Sequence, residues 1–484
     1  MFTSTRKRMQ LNATKCIVKG ISDEGGLFIL DNFNGFDLSN NLVDCSYQEL
    51  AFKIFKFFFK DFTDCELEKI VNNAYNKNNF NKDIVKVSEF GNLSFLELYH
   101  GPTMAFKDMA LTILPHFMAE SKRKLDFKKK TLILTATSGD TGGACLSGFQ
   151  NVEDTKIVVL YPTKGVSKFQ EAQMHYYSGK NAFAIAVDGN FDDCQNLVKK
   201  VFTSNMELKN LELSSANSIN IGRLVPQVVY YFYSYLELVK KGNIKYGEKI
   251  NFVVPTGNFG NILACYIAKQ MGLFINKIVC ASNENKVLTD FFNTLEYDKN
   301  REFYLTNSPA MDILISSNLE RLLYLITDCN IEAVNKMMND LKEKGKYTLP
   351  IEYKEKMNDF LAYYVTNDDT IKYIEKCFKD NNYLIDPHTA VAYGCYLNLK
   401  DKLEGKTIVV STASPYKFME SVEKIFDLDG EGIEKVKELS KLCNIEIPNV
   451  LFDIYNKKVD KTVWTKENME ENLRKFIGEL DESC

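Results

Sequence analysis

Short apolar runs recur along this chain, each closed by a loop of Gly, Ser, Thr and Asn and mostly followed by helical periodicity. Residues 131–135 run into TSGDTGG and a helical pattern from Ala144. Residues 156–161 run into PTKG, and 183–187 into DGNFDD and a pattern over 194–202. Residues 251–254 run into PTGNFGN and a helix over 262–271, residues 277–281 into SNEN, and 406–410 into STASPYK. Unbroken apolar runs of strand length alternating with helices predict an α/β fold of parallel sheets covered on both faces. In such sheets ligands bind in the loops at the carboxyl ends of the strands. Those are the loops where the unusual residues of this chain gather.

The two ends read differently. Residues 47–75 have a mainly helical pattern, and their lead-in contains SDEGGLFIL at 22–30, which predicts a small mixed N-terminal domain. Residues 425–484 are rich in charge and helical in pattern, a C-terminal appendage. No proline-rich linker, low-complexity tract or internal repeat interrupts the chain.

With 484 residues, 45% hydrophobic and 26% charged, the chain has the composition of a globular protein with ample core. A net charge of -4 offers no basic face for nucleic acid and no polybasic membrane patch. The most apolar stretches, 52–62 and 224–239, are broken by Lys53, Lys56 and Lys60 and by Pro226 and Gln227, so no membrane span is expected. The 12 cysteines include no Cys-x-x-Cys pair and the 4 histidines have no metal-ligand spacing, so no metal site is expected. That usage fits a reducing, cytoplasmic compartment, as does the lack of a secretory signal.

Candidate chemistry starts at HGPTMAFKDMA, residues 100–110. Gly101 and Pro102 signal a turn, Thr103 is a plausible helix N-cap, and Lys107 falls just inside the expected helix. The positive end of a helix dipole disfavours an ammonium there, and a free amine is what Schiff-base chemistry needs. TGNFGN at 256–261 reads either as a strand-to-helix turn or as an anion cradle, with glycines for close approach and helix-initial N–H groups as donors. TSGDTGG at 137–143 reads as a tight turn capped by Asp140 or as a carboxylate site. SSANSINIGR at 214–223 reads as a capped helix with a surface arginine, or as Ser218, Asn220 and Arg223 converging on a phosphate. STASPYK at 411–417 is a capped helix start, or places Ser411 or Thr412 against a ring nitrogen. His388, in DPHTAVAYG, reads as structural before catalytic.

Taken together, HGPTMAFKD at 100–108, TSGDTG at 137–142, NSINIGR at 217–223, GNFGN at 257–261, SPAMDILISSNLERL at 308–322, DPHTAVA at 386–392 and STASPYKF at 411–418 resemble the threonine synthase family, as do the opening TSTR and DEGGLF. These are pyridoxal-phosphate enzymes of fold-type II, and the resemblance is to the longer form of fungi and many bacteria. Lys7 departs from it, where the family often has Gly. The resemblance implies two open, mainly parallel sheet domains in a catalytic core at 93–425, the smaller at about 125–215, with an N-terminal domain at 1–92 and a helical segment at 426–484. It implies that Lys107 bonds pyridoxal phosphate, that Gly257, Asn258, Phe259, Gly260 and Asn261 cradle the cofactor phosphate, and that Thr412 meets the pyridine nitrogen. Ser138, Gly139, Asp140 and Thr141 would hold the substrate carboxylate, and Arg223, Ser218 and Asn220 the substrate phosphate. The implied reaction turns O-phospho-L-homoserine and water into L-threonine and phosphate, in a monomer or homodimer. The alternatives are a phospholyase or a threonine/serine dehydratase of the same group, or a non-catalytic anion-binding protein.

Overall fold

A computed structural model describes all residues except 81, 82, 138, 205 and 460. Two sheets organise it. The larger has six strands in the order Phe360–Tyr364, Ile275–Ser282, Ile250–Pro255, Thr407–Ser411, Leu93–Glu97, Lys86–Phe90. Neighbours are parallel except the last two, which form an antiparallel hairpin. The smaller sheet has five parallel strands, Val463–Thr465, Ala182–Asp188, Thr155–Pro162, Lys130–Ala136 and Leu211–Ser214. Every residue of Ile250–Pro255 and Thr407–Ser411 is buried, as two-sided coverage of a parallel sheet requires. All six apolar runs of the sequence are strands.

The helices start where side chains can satisfy their first N–H groups. Capping boxes open Tyr47–Phe58 at Ser46 and Glu49, Asp64–Ala74 at Thr63 and Glu66, Lys168–Tyr176 at Ser167 and Gln170, and Phe191–Thr203 at Asn190 and Asp193. Phe55, Phe59 and Phe62 meet Phe117 of helix Leu114–Lys124 edge-on, which welds the N-terminal helices to the rest of the core. Helix Ile221–Lys240 runs through Pro226 unbroken. Among the described residues no helix is long and apolar enough to cross a membrane.

Two expected boundaries move. A division at 92 cuts the hairpin of Lys86–Phe90 and Leu93–Glu97, which belongs to the larger sheet. The C-terminal segment is not a purely helical appendage, because Val463–Thr465 forms the edge of the smaller sheet against Ala182–Asp188. Its last helix, Met469–Glu482, packs Phe476 against Phe183 and Trp464 on that side and brings its C-terminal end to the opposite edge. There the buried Asp481 carboxylate accepts the backbone N–H groups of Lys209, Asn210 and Leu211 at 2.9, 2.8 and 2.7 Å. Asp481→Ala leaves those donors unmet and is expected to cost about 1–3 kcal/mol, read as a lowered denaturation midpoint. An unchanged midpoint would mean that the helix is held by its apolar face alone.

Candidate active site

The lysine loop is shaped by Asp108. The N–H and hydroxyl of Thr103 donate to its carboxylate at 2.8 and 2.6 Å, and a Cβ at Gly101 would stand 2.6 Å from the Asp108 Cβ, so position 101 requires glycine. The expected helix is therefore a single turn, Asp108–Leu111, with Lys107 at its cap, and Thr103 donates to Asp108 instead of capping. The loop is stitched to the segment after strand Thr407–Ser411. Phe106 N–H donates to the Thr412 carbonyl at 2.8 Å, Ser414 N–H to that of Met104 at 3.1 Å, and Ala105 and Ala413 form a bridge. Two loops distant in sequence thus bring Lys107 and Thr412 to one cleft.

That cleft encloses about 490 Å³ of space, part of it open to solvent. Phe106, Lys107, Asp140, Gly257, Phe259, Asn261, Ala310, Met311, His388 and Thr412 are in its wall. Lys107 is 8% exposed. Burial pushes its ammonium below the ordinary lysine range. Asp140 opposes that shift, and the charges of Lys417 and Arg223 add to it. The helix dipole is the lesser cause here, since a helix of one turn has little of it.

Asp140 begins helix Asp140–Phe149. Its carboxylate lies 3.7 Å from the Lys107 Nζ and 3.0 Å from that of Lys417, and accepts from the Gln170 amide at 3.1 Å. Burial disfavours its charge, but the two lysines outweigh burial and hold the carboxyl well below the usual range. A negatively charged Asp140 side chain repels a substrate carboxylate, so it is not a donor to one. Gly139, at φ 146°, is the one residue type that fits its position, where a Cβ would meet Gln170 at 2.5 Å. Thr141 is half-buried outside the cleft wall, and Ser138 lies outside the described residues.

The 257–261 loop is built for close approach. Phe259 takes a left-handed conformation, φ 64°, rare for a residue with a side chain, and caps helix Gly260–Gln270. A Cβ at Gly257 would stand 2.6 Å from the Ala310 carbonyl oxygen, whereas one at Gly260 would meet nothing nearer than 3.5 Å, so Gly257 is the stringent position. Asn261 Oδ1 accepts the hydroxyls of Tyr230 and Tyr231 at 2.5 and 2.6 Å. This fixes the amide and leaves Nδ2 buried without a partner at the cleft. Asn258 is exposed and takes no part in the wall. Its carbonyl accepts from the Asn318 backbone and side chain at 3.1 and 3.0 Å.

Arg223 is buried, its Nη1 donating to the Ala216 carbonyl at 2.9 Å and its Nε without a partner. Asn220 is committed elsewhere: Oδ1 caps helix Ile221–Lys240 through Gly222 N–H and Nδ2 donates to the Ile17 carbonyl, each at 2.9 Å. Ser218 is half-buried beside the Asn318 amide. His388 is structural. Nδ1 meets Asp386 at 2.7 Å and Nε2 accepts the Ala310 N–H at 3.2 Å, so both ring nitrogens are engaged. Thr389, not Thr412, contacts the Ser411 hydroxyl, at 3.1 Å.

The residues present fit a phosphorylated pyridine aldehyde. A buried lysine whose ammonium is pushed below the ordinary range could supply the bond. A helix start, a glycine under backbone contact and an unpartnered Asn261 amide could receive an anion, and a neutral hydroxyl stands at Thr412. The fold and this donor set define a pyridoxal-phosphate-dependent enzyme of fold-type II. Comparison with known proteins agrees. The family model described as pyridoxal-phosphate dependent enzyme matches residues 88–414, and the one described as threonine synthase N terminus matches residues 1–75. Threonine synthase of Schizosaccharomyces pombe is 36% identical over 444 residues, 84% of this chain and 85% of that protein. Human threonine synthase-like 1 is also 36% identical, over 90% of this chain, which spans only 59% of that protein's length. The crystal structure of PLP-bound threonine synthase from Brucella melitensis superposes with a TM-score of 0.87 at 33% identity, covering 98% of both chains. This chain belongs to the threonine synthase family.

Lys417, Gln170, Gln173 and Asn318 were not identified from sequence. For Lys417 a signal exists, a charge within a loop of small and hydroxyl residues just after a buried strand.

Lys107→Ala is expected to abolish the visible absorbance of the purified protein and all turnover while the denaturation midpoint holds. Retained colour would move the cofactor to another lysine. Gly257→Val is expected to raise the pyridoxal phosphate dissociation constant about tenfold or more, equivalent to about 1.4 kcal/mol. An unchanged constant would place the phosphate elsewhere.

Proposed function

We propose that this chain converts O-phospho-L-homoserine and water into L-threonine and inorganic phosphate. The observation that carries this reading is the single cleft in which the buried Lys107 amine, the 257–261 loop and Thr412 meet, with Arg223 close enough to act on the charge of Lys107. When bound, pyridoxal phosphate supplies an electron sink for the charge left at the substrate α carbon. Lys107 Nζ takes the α-proton. It must then take a β-proton as phosphate leaves the γ carbon, deliver a proton to the γ carbon, and return one to the α carbon as water adds its hydroxide at the β carbon and its remaining proton balances the departing phosphate. Burial favours its amine form and Asp140 at 3.7 Å tolerates its ammonium, so both states are accessible without solvent. Backbone N–H groups around Gly139 and Asp140 orient the substrate carboxylate at a helix start. Phe106, Met311 and His388 wall the site against bulk water.

Arg223 is assigned to the substrate phosphate. A buried guanidinium with an unpartnered Nε needs an acceptor, and a phosphate offers a bidentate one. The reading places the enzyme in the cytoplasm, as a monomer or homodimer, in keeping with twelve free cysteines.

Threonine and phosphate should appear in equal amounts from O-phosphohomoserine, and nothing from homoserine, whose γ substituent leaves only as hydroxide. Formation of 2-oxobutanoate and ammonia in place of threonine would mean a phospholyase. Arg223→Ala is expected to lower kcat/KM about 10- to 150-fold, the loss of about 1.5–3 kcal/mol, while cofactor affinity holds. Lost affinity with normal efficiency at saturating cofactor would reassign Arg223 to the cofactor.

A further inference from the structure

Lys417 is a fully buried charge that the chemistry above does not use. It stands in the one-turn segment Pro415–Phe418, just after the loop that carries Thr412. Its ammonium has three acceptors: the Thr103 carbonyl at 2.7 Å, Gln173 Oε1 at 3.1 Å and Asp140 Oδ1 at 3.0 Å. Three separate elements supply them. Thr103 belongs to the lysine loop, Gln173 to helix Lys168–Tyr176 and Asp140 to the start of helix Asp140–Phe149, the last two packed on the smaller sheet. A buried ammonium is costly to desolvate, and an apolar side chain would fill the same space more cheaply.

We propose that Lys417 is a positioning residue for this reaction: its ammonium fixes the Asp140 carboxylate beside Lys107 and pins the loop carrying Thr412 to the smaller-sheet domain. With Lys417 in place the charge of Asp140 is already balanced at 3.0 Å, and Lys107, at 3.7 Å, is left free to lose its proton. Without it Asp140 would hold Lys107 as an ammonium. The other charges facing this pair are Asp108, which favours protonated Lys107, and Arg223, which opposes it. His388 also faces Asp140, with both ring nitrogens engaged. Lys417 lowers the proton affinity of Lys107, so its removal raises that affinity.

The inference rests on the proposed function only for its kinetic readout. Lys417→Met, Asp140→Asn and the double variant are compared with the unaltered full chain by two measurements. One is kcat against pH for O-phosphohomoserine, whose acidic limb reports the bound complex. The other is the pH dependence of pyridoxal phosphate uptake at Lys107, followed by absorbance without substrate. Lys417→Met is expected to move both midpoints up by about one unit. Asp140→Asn should move them down, and the double variant should return them towards the unaltered values. If Lys417→Met does not fold, the downward shift in Asp140→Asn carries the test. Turnover lowered evenly at every pH with unmoved midpoints, or an Asp140→Asn variant with unmoved midpoints, would overturn the proposal. An unaltered chain that leaves O-phosphohomoserine untouched would overturn the function proposed above, while the uptake midpoints would still decide the role of Lys417.

Discussion

One buried carboxylate shared by two buried lysines governs this site. Asp140 is held well below the usual carboxylate range because Lys417 and Lys107 stand 3.0 and 3.7 Å from it. The two lysines are not equivalent. Lys417 spends all three N–H groups on protein acceptors. Lys107 has one long contact to a carboxylate already balanced, so burial pushes its ammonium below the ordinary lysine range. A nucleophilic amine at neutral pH needs this asymmetry.

The fold supplies that triad from both sheets. Asp140 and Gln173 come from helices on the smaller sheet, Lys417 and Thr412 from the end of a central strand of the larger one, and Lys107 from a loop hydrogen-bonded to the Thr412 carbonyl. Across the cleft, Asn318 ties the 257–261 loop to helix Leu319–Ile326. There the buried Arg321 contacts Asn318 and the Ile219 carbonyl and donates to the Phe28 carbonyl at 3.0 Å. The N-terminal domain therefore buttresses the wall that is read as facing the cofactor phosphate, which gives the TSTR and DEGGLF lead-in a physical reason to accompany this chemistry.

Six strands were legible because parallel strands buried on both faces read as unbroken apolar runs. Leu93–Glu97 was not, since Ser94 and Glu97 are buried polar residues that break the pattern, and three-residue Val463–Thr465 is lost in a charged stretch. At the site, the loops were legible as glycine- and hydroxyl-rich turns after strands. What each side chain does there was less so. Asn220 and Asp140 look in sequence like ligand donors. In space Asn220 caps a helix and Asp140 pairs with lysines, because capping and anion binding draw on the same residue types. Lys417 was hidden because its three acceptors come from segments 244 to 314 residues away.

On this reading Lys107, and not its more deeply buried neighbour Lys417, bonds the cofactor. Borohydride reduction of the protein loaded with pyridoxal phosphate, followed by peptide mass spectrometry, tests it without reference to substrate. A pyridoxyl group is expected on the peptide containing Lys107 and none on that containing Lys417. Label on Lys417 would contradict it, because an ammonium held by Thr103, Gln173 and Asp140 could not then be the fixed charge of this site.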